Sequence, residues 1–265
     1  MNQLLYKKMN ELLTKDEFAS LCTIISSSGS APRHEGTKML VLQNGTIFGT
    51  VGGGKIEERI RKEALASISD QKPRLLKYSL IDPNHGDPGV CGGTVEVFVE
   101  PITPENKIIV VGGGHVGKAV VRLAKFLGYR VAVSDDREQF CTPEEIPDAD
   151  EFFPVPMKDL PKATRITPST YVVLATRGSS IDIEGMEPLL DTPSAFLGVI
   201  GSKRRWLTTK KALLDKGVDP KKLERVHSPL GLELNAETPE EIAVSIMAEI
   251  IMLKNNGTGR LMKAK

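Results

Sequence analysis

Three glycines are the residues of this chain whose spacing first points to chemistry. Gly112, Gly114 and Gly117 match the pattern G-x-G-x-x-G. The wholly apolar run 108–111 precedes them, as in a strand buried on both faces, and apolar residues at helical intervals follow them. At this spacing the first glycine permits a tight turn, the second lets a phosphate approach the backbone, and the third lets the helix pack close to the strand. The pattern predicts an anion-binding turn at a helix N-terminus.

The segment after this helix ends in acids. A second apolar strand, 130–134, leads directly into Asp135 and Asp136. The order strand, turn, helix, strand and terminal acid is that of the dinucleotide-binding βαβ unit, in which a carboxylate accepts ribose hydroxyls. Arg137 beside the two acids leaves the choice between NAD and NADP open. The alternative is a scaffold whose glycines only make the turn and hold no nucleotide.

Polar side chains also follow two later apolar strands. Arg177 follows the first of these, and Ser202, Lys203 and Arg204 follow the second. Ligands of open parallel sheets bind beyond the carboxyl ends of the strands. Ser202 is a predicted N-cap, and cations at the start of a helix suit a phosphate, although they are also common on solvated helix surfaces. His115, next to the glycines, could donate to a phosphate or transfer a proton, or could be a packed histidine.

Cys91 is the side chain with the widest chemistry in the first hundred residues. It lies in a loop between Gly89 and the pair Gly92-Gly93. Small neighbours leave a sulfur accessible, and an accessible thiolate coordinates soft metals, accepts sulfur or attacks electrophiles. The alternative is a small residue buried under a tight turn, since free cysteines are often buried.

A second glycine-rich turn leads into a helix and comprises Gly52, Gly53 and Gly54. Two strand-like runs, 38–43 and 46–49, flank Asn44-Gly45 just before it, which predicts a two-residue hairpin. The turn lacks the Gly-Lys-Ser/Thr ending of a phosphate-binding P-loop. It is therefore either an anion or cofactor loop or a tight junction between hairpin and helix.

Pattern and length together predict two domains. The 265 residues suit one large or two modest domains. Residues 1–100 alternate as antiparallel strands with two helices and predict a small α+β domain. Residues 101–106, with two prolines, are the expected linker. Residues 107–265 predict a Rossmann-like, doubly wound α/β domain, so the fold class is α/β.

Composition excludes several classes of protein. The net charge of +1 gives no electrostatic basis for binding nucleic acid or a membrane surface. Three cysteines without a CxxC pair argue against a disulfide framework and a structural zinc site. The chain has no long apolar run and no signal-peptide pattern, so a cytoplasmic location is expected.

The ordered motifs resemble those of the xanthine dehydrogenase accessory protein family, also called the XdhC/CoxI family. The resemblance covers nearly the whole chain. The matching motifs are Gly29-Ser30-Ala31-Pro32-Arg33, Gly36-Thr37-Lys38-Met39-Leu40, Gly49-Thr50-Val51-Gly52-Gly53-Gly54, Cys91-Gly92-Gly93, Gly112-Gly113-Gly114-His115-Val116-Gly117, Asp135-Asp136-Arg137, Ile200-Gly201-Ser202-Lys203-Arg204, Pro229-Leu230-Gly231-Leu232 and Pro239-Glu240-Glu241-Ile242-Ala243.

The resemblance implies a maturation factor without turnover of its own. Such proteins bind the molybdenum cofactor, a molybdopterin that carries molybdenum. They support its sulfuration with sulfur from a cysteine desulfurase, and they deliver it to an apo-molybdenum hydroxylase of the xanthine dehydrogenase type. On this reading Cys91 contacts molybdenum or the transferred sulfur, the glycines and strand-end cations hold molybdopterin, and the chain forms a homodimer.

One departure and one rival accompany this reading. Family members often carry a histidine after the Thr-Arg-Gly of the third apolar strand, where this chain has Ser179. A role for that histidine therefore does not transfer. The rival, favoured by the βαβ pattern, is an NAD(P)-dependent oxidoreductase or a nucleotide-sensing regulatory module.

Overall fold

The computed structural model describes residues 2–31, 33–79 and 93–262. The chain divides into two compact units, Met1–Pro104 and Glu105–Lys265. Within the described ranges, none of the helices has the length and apolarity needed to cross a membrane.

The first unit is an antiparallel sheet with a helix on each face. Its elements are α1 (Asn2–Leu13), β1 (Ala19–Ser28), β2 (Lys38–Leu42), β3 (Ile47–Gly49), α2 (Gly54–Asp70), β4 (Arg74–Ser79) and β5 (Thr94–Ile102). The strand order is β3-β2-β1-β5-β4. Alternate residues of β1 and β2 face opposite sides, so Cys22 and Met39 pack under α2 whereas Leu21 and Leu40 pack under α1. The predicted small α+β domain is confirmed.

Two local predictions for this unit need correction. The hairpin of β2 and β3 has three loop residues rather than two, because Leu42 pairs with Thr46 and Gly45 adopts a left-handed conformation with φ of 83°. Three-residue loops with glycine at this position are the next most common hairpin class. The expected linker begins later than residue 101, because β5 continues to Ile102 in register with β1.

The second unit is a six-stranded parallel sheet between two layers of helices. Its elements are β6 (Lys107–Val111), α3 (His115–Phe126), β7 (Arg130–Ser134), β8 (Glu151–Phe153), α4 (Leu160–Ala163), β9 (Thr170–Leu174), α5 (Ser179–Gly185), α6 (Glu187–Leu190), β10 (Phe196–Val199), α7 (Lys203–Asp215), α8 (Pro220–Leu223), β11 (Val226–His227) and α9 (Pro239–Lys254). Helices α3 and α9 cover one face of the sheet, and α4 to α8 cover the other.

The strand order β11-β10-β9-β6-β7-β8 is that of the doubly wound dinucleotide-binding fold. The two halves of the sheet meet at β6 and β9, which are adjacent and parallel, and the chain passes from one half to the other between β8 and β9. The loops that leave these two strands diverge to opposite faces and open a crevice at their carboxyl ends. The predicted Rossmann-like domain is confirmed.

Candidate functional site in the second unit

The glycine turn between β6 and α3 is as tight as its spacing predicts. Gly112 has φ of 116°, and a Cβ there would lie 2.4 Å from the carbonyl oxygen of Ala175, the residue that follows the neighbouring strand β9. A Cβ on Gly117 would lie 1.9 Å from the carbonyl oxygen of Gly112. Both positions therefore require glycine, the first for conformation and contact and the second for the close packing of α3 on β6.

Gly114 differs from these two glycines. Its φ of −74° suits any residue, and a Cβ there would meet nothing within 4 Å. It is the N-cap of α3, so the N–H groups of His115 and Val116 have no acceptor within the helix. Neither folding nor packing requires glycine here. The space beside this backbone is available to a ligand atom.

Asp135, the first of the two acids that follow β7, stabilises the glycine turn through a hydrogen bond. Its carboxylate is only 4% exposed and accepts hydrogen bonds from the backbone N–H of Gly113 at 2.9 Å and from Arg137. Arg137 donates its backbone N–H at 3.0 Å, Nε at 2.9 Å and Nη2 at 2.8 Å. Burial favours a higher pKa for Asp135, but these donors hold its pKa below the ordinary value. Asp135, one of the two acids expected to accept ribose hydroxyls, is thus engaged within the protein.

Asp136 and Arg177 connect the ends of two strands across the crevice. The guanidinium of Arg177 donates from Nη1 at 2.7 Å and from Nη2 at 2.9 Å to the two carboxylate oxygens. These hydrogen bonds lower the pKa of Asp136 to about 2. Since both side chains remain partly exposed, the pair is accessible to a ligand.

A cavity of about 900 Å3 occupies this crevice. Gly114 and exposed His115 border it on the α3 side, and Arg177 borders it at the end of β9. Five cationic side chains line it, against three carboxylates. The cations are Arg137, Lys158, Arg177, Arg205 and Lys216, and the carboxylates are Asp135, Asp136 and Glu184. A site of this size, with excess positive charge and free helix N–H groups, suits an anionic small molecule.

The cations at the start of α7 do not all reach the cavity. Ser202 caps the helix as predicted, because its Oγ accepts the backbone N–H of Arg205 at 3.2 Å. Lys203 and Arg204 are exposed and lie outside the cavity lining. Arg205 lines the cavity instead. The sequence analysis named Lys203 and Arg204 and left out Arg205, because a run of three cations does not show which of them the phase of the helix turns towards the cavity.

In the first unit, the glycine-rich turn before α2 binds a side chain of its own helix. Glu57 Oε2 accepts the backbone N–H groups of Val51 at 3.1 Å and Gly53 at 3.2 Å, and the hydroxyl of Thr50. The sequence left two interpretations of the turn formed by Gly52, Gly53 and Gly54, an anion-binding loop and a tight junction. In the structure, the backbone N–H groups that could bind an external anion bind the carboxylate of Glu57. This contact favours the structural interpretation.

The remaining predicted residues of the first unit lie at or beyond the edge of the described ranges. Gly93 is buried, and a Cβ there would lie 2.3 Å from the carbonyl oxygen of Ser28. Cys91 and Gly92 lie outside the described residues. Across the described ranges, no three metal-ligating side chains cluster as a metal site would require.

Two family models match the chain in order. The model of the XdhC and CoxI family matches residues 12–79, and the model of the XdhC Rossmann domain matches residues 108–250, which is more than half of the chain. The chain belongs to the XdhC and CoxI family. The family that the motifs resemble is thereby confirmed.

Two proteins of known sequence are similar to this chain. The uncharacterized protein YqeB of Escherichia coli K12 is 35% identical over 92% of the chain and 45% of its own length. A protein of Bacillus subtilis 168, described as a probable subunit of xanthine dehydrogenase, is 32% identical over 61% of the chain and 47% of its own length. The chain thus spans less than half the length of these two relatives.

Two more distant proteins align over nearly the whole chain. The molybdenum cofactor insertion chaperone PaoD of Escherichia coli K12 is 19% identical over 92% of the chain and 86% of its own length. A solved structure described as a xanthine dehydrogenase from Bacillus halodurans superposes with a TM-score of 0.52 at 23% identity, over 98% of this chain and 97% of that one. At that identity the superposition supports the fold alone.

Proposed function

We propose that this chain carries the molybdenum cofactor to an apo-hydroxylase of the xanthine dehydrogenase type and supports its sulfuration before insertion. The family, matched in both units, supports an accessory role in maturing such an enzyme. The observation that carries the proposal is the alignment with the insertion chaperone PaoD, which extends over most of both chains. The cofactor is cargo here rather than a resident group.

The crevice in the second unit fits the phosphate-bearing part of such a cargo. Molybdopterin carries a phosphate, and the N–H groups at the start of α3 beside Gly114 are suited to one. The excess of cations around the cavity favours the same anion. His115, which borders the cavity, is placed to donate a hydrogen bond to the cargo.

Cys91 is the proposed contact for molybdenum or for the transferred sulfur. A thiolate is a suitable soft ligand for a metal, and it can also accept sulfur. A cysteine desulfurase is the proposed sulfur donor, and the proposed active form is a homodimer. All three proposals come from the family resemblance.

The test is retention of molybdopterin during anaerobic purification, measured by the fluorescence of the oxidised pterin. Wild type, Cys91→Ser and Cys22→Ala are compared. Cys22 is a matched control because it is a fully buried thiol of the same unit. We expect wild type and Cys22→Ala to retain pterin and Cys91→Ser to lose it.

The other outcomes are equally informative. Equal retention by all three proteins would leave the carrier in place and remove Cys91 from the cofactor contact. Absence of pterin from wild type, after co-expression with a complete cofactor pathway, would refute the carrier proposal.

A second candidate is a nucleotide-binding protein, either an NAD(P)-dependent oxidoreductase or a sensor. The strand order and glycine turn favour it. The engaged carboxylate of Asp135 argues against ordinary ribose recognition. Calorimetric titration with NAD(H) and NADP(H) tests this candidate. Tight binding with substrate turnover would favour the oxidoreductase, and binding without turnover the sensor.

A further inference from the structure

Arg205 differs from the other arginines of the crevice in the placement of its acidic partner. Arg137 and Arg177 pair with Asp135 and Asp136, and both of these acids line the cavity themselves. A ligand phosphate that approaches either arginine therefore also approaches a carboxylate, which repels it.

The acid that holds Arg205 lies behind it. Asp182 is completely buried and outside the cavity lining. Its Oδ2 accepts from Arg205 Nε at 3.1 Å and Nη2 at 2.7 Å, and its Oδ1 accepts the hydroxyl of Thr176 at 2.5 Å. A buried carboxylate is stable only when it is paired and hydrogen-bonded, so this arrangement fixes the guanidinium in position. Arg205 therefore lines the cavity, whereas Asp182, which balances its charge, does not.

The same network places the guanidinium beside the glycine turn. Arg205 Nη1 donates to the carbonyl oxygen of Thr176 at 3.2 Å. The backbone nitrogen of Thr176 is 3.4 Å from the point where a Cβ of Gly112 would lie. Arg205 thus borders the cavity where the loops that follow β6 and β9 diverge. Thr176, which it contacts, lies beside the glycine turn that leads into α3.

We propose that Arg205 is the anion anchor of the crevice, positioned by Asp182, and that it binds the phosphate or pyrophosphate of the ligand held at the N-terminus of α3. This deepens the proposed function and rests on it for the identity of that ligand as molybdopterin. Four of the five guanidinium hydrogens have partners among the described residues, and one on Nη1 is left for the phosphate.

The test is calorimetric titration of the full chain, purified without cofactor, with inorganic pyrophosphate. The central variant is the double substitution Asp182→Asn with Arg205→Gln, because removing both partners avoids leaving a buried carboxylate unpaired. Lys211→Gln is the matched control, since it removes one exposed cation from the same helix outside the cavity. Arg204→Gln tests the neighbouring cation.

We expect the double variant to bind pyrophosphate about tenfold more weakly or worse, as for loss of a charge-assisted hydrogen bond to phosphate. Lys211→Gln should stay within about twofold of wild type, because exposed charges are screened. If the double variant fails to fold, Arg205→Lys keeps the ion pair but loses the forked geometry, and it should weaken binding by a smaller factor. No binding by wild type, unchanged affinity without the arginine, or a loss confined to Arg204→Gln would overturn the anchor.

Measuring pterin retention in the same variants separates this proposal from the carrier function. If wild type retains pterin and the double variant retains it equally, the carrier stands and the anchor fails. If wild type retains none but pyrophosphate affinity depends on Arg205, the anchor stands and the carrier fails, which leaves a nucleotide as the ligand class.

Discussion

Alanine at Gly117 tests whether this glycine sets the distance between α3 and β6. Its Cβ would lie 1.9 Å from the carbonyl oxygen of Gly112 and 3.0 Å from the carbonyl carbon. Both atoms belong to the backbone of the turn, so no side chain can rotate away. The helix must move outward by about 1.5 Å to restore an ordinary contact, and overpacking of this kind costs about 1–3 kcal/mol. For a domain of this size, the melting temperature should fall by about 3–10 °C.

Gly114 provides the matched comparison within the same turn. A Cβ there meets nothing within 4 Å at a φ that alanine adopts freely. The expected cost of Gly114→Ala is the weaker N-cap preference of alanine, at most about 1 kcal/mol. Because the new methyl group borders the cavity beside the free helix N–H groups, the variant should lose pterin retention while keeping its fold. Gly117→Ala should lose stability first.

Differential scanning calorimetry of both variants, together with pterin retention, measures these effects. The reasoning is refuted if Gly117→Ala melts within about 2 °C of wild type, or if Gly114→Ala loses as much stability as Gly117→Ala. Full pterin retention by a folded Gly114→Ala protein would instead contradict the proposed phosphate position alone.

Two further predictions concern thiols and acid stability. Burial raises the pKa of Cys22 to about 12 and also raises the pKa of Cys141, so a thiol reagent at pH 8 should react rapidly only at Cys91. Cys91→Ser should abolish the fast phase, and a fast phase that persists would contradict this. The Asp136–Arg177 pair stabilises the fold above the unfolded pKa of about 3.9 and loses its effect as the pH falls towards 2. The stability difference between wild type and Asp136→Asn, below about 1 kcal/mol for this exposed pair, should therefore vanish across that range; a constant difference would contradict the assignment.

The elements predicted correctly are those whose pattern is local. The apolar run 108–111 and the alternation of Val95, Val97 and Val99 each report burial directly, and the structure buries all of them. Thr238 and Glu241 form a capping box at the start of α9, and the local pattern of a threonine followed three residues later by a glutamate is typical of one. These local patterns predict structure well because a strand or a cap depends on residues within a few positions of each other.

The elements that were missed carry too few residues to show a period. Strands β8 and β11 have three and two residues, and α4, α6 and α8 have four each. They form because their neighbours in the sheet or core hold them, and periodicity over so few positions does not separate strand, helix and loop. Asn-Gly favours a two-residue hairpin loop, but the register of β2 and β3 requires three residues.

The family, the two-unit fold and the glycine turn can be predicted from the amino-acid sequence, because they depend on ordered motifs and on spacing along the chain. Which charges face the crevice follows from tertiary contacts. Arg205 enters it while Lys203 and Arg204 do not, Asp182 lies buried behind that arginine, and Asp135 is engaged by Gly113 and Arg137. Each outcome depends on helix phase and on contacts between distant segments, and a linear pattern of charged residues carries neither.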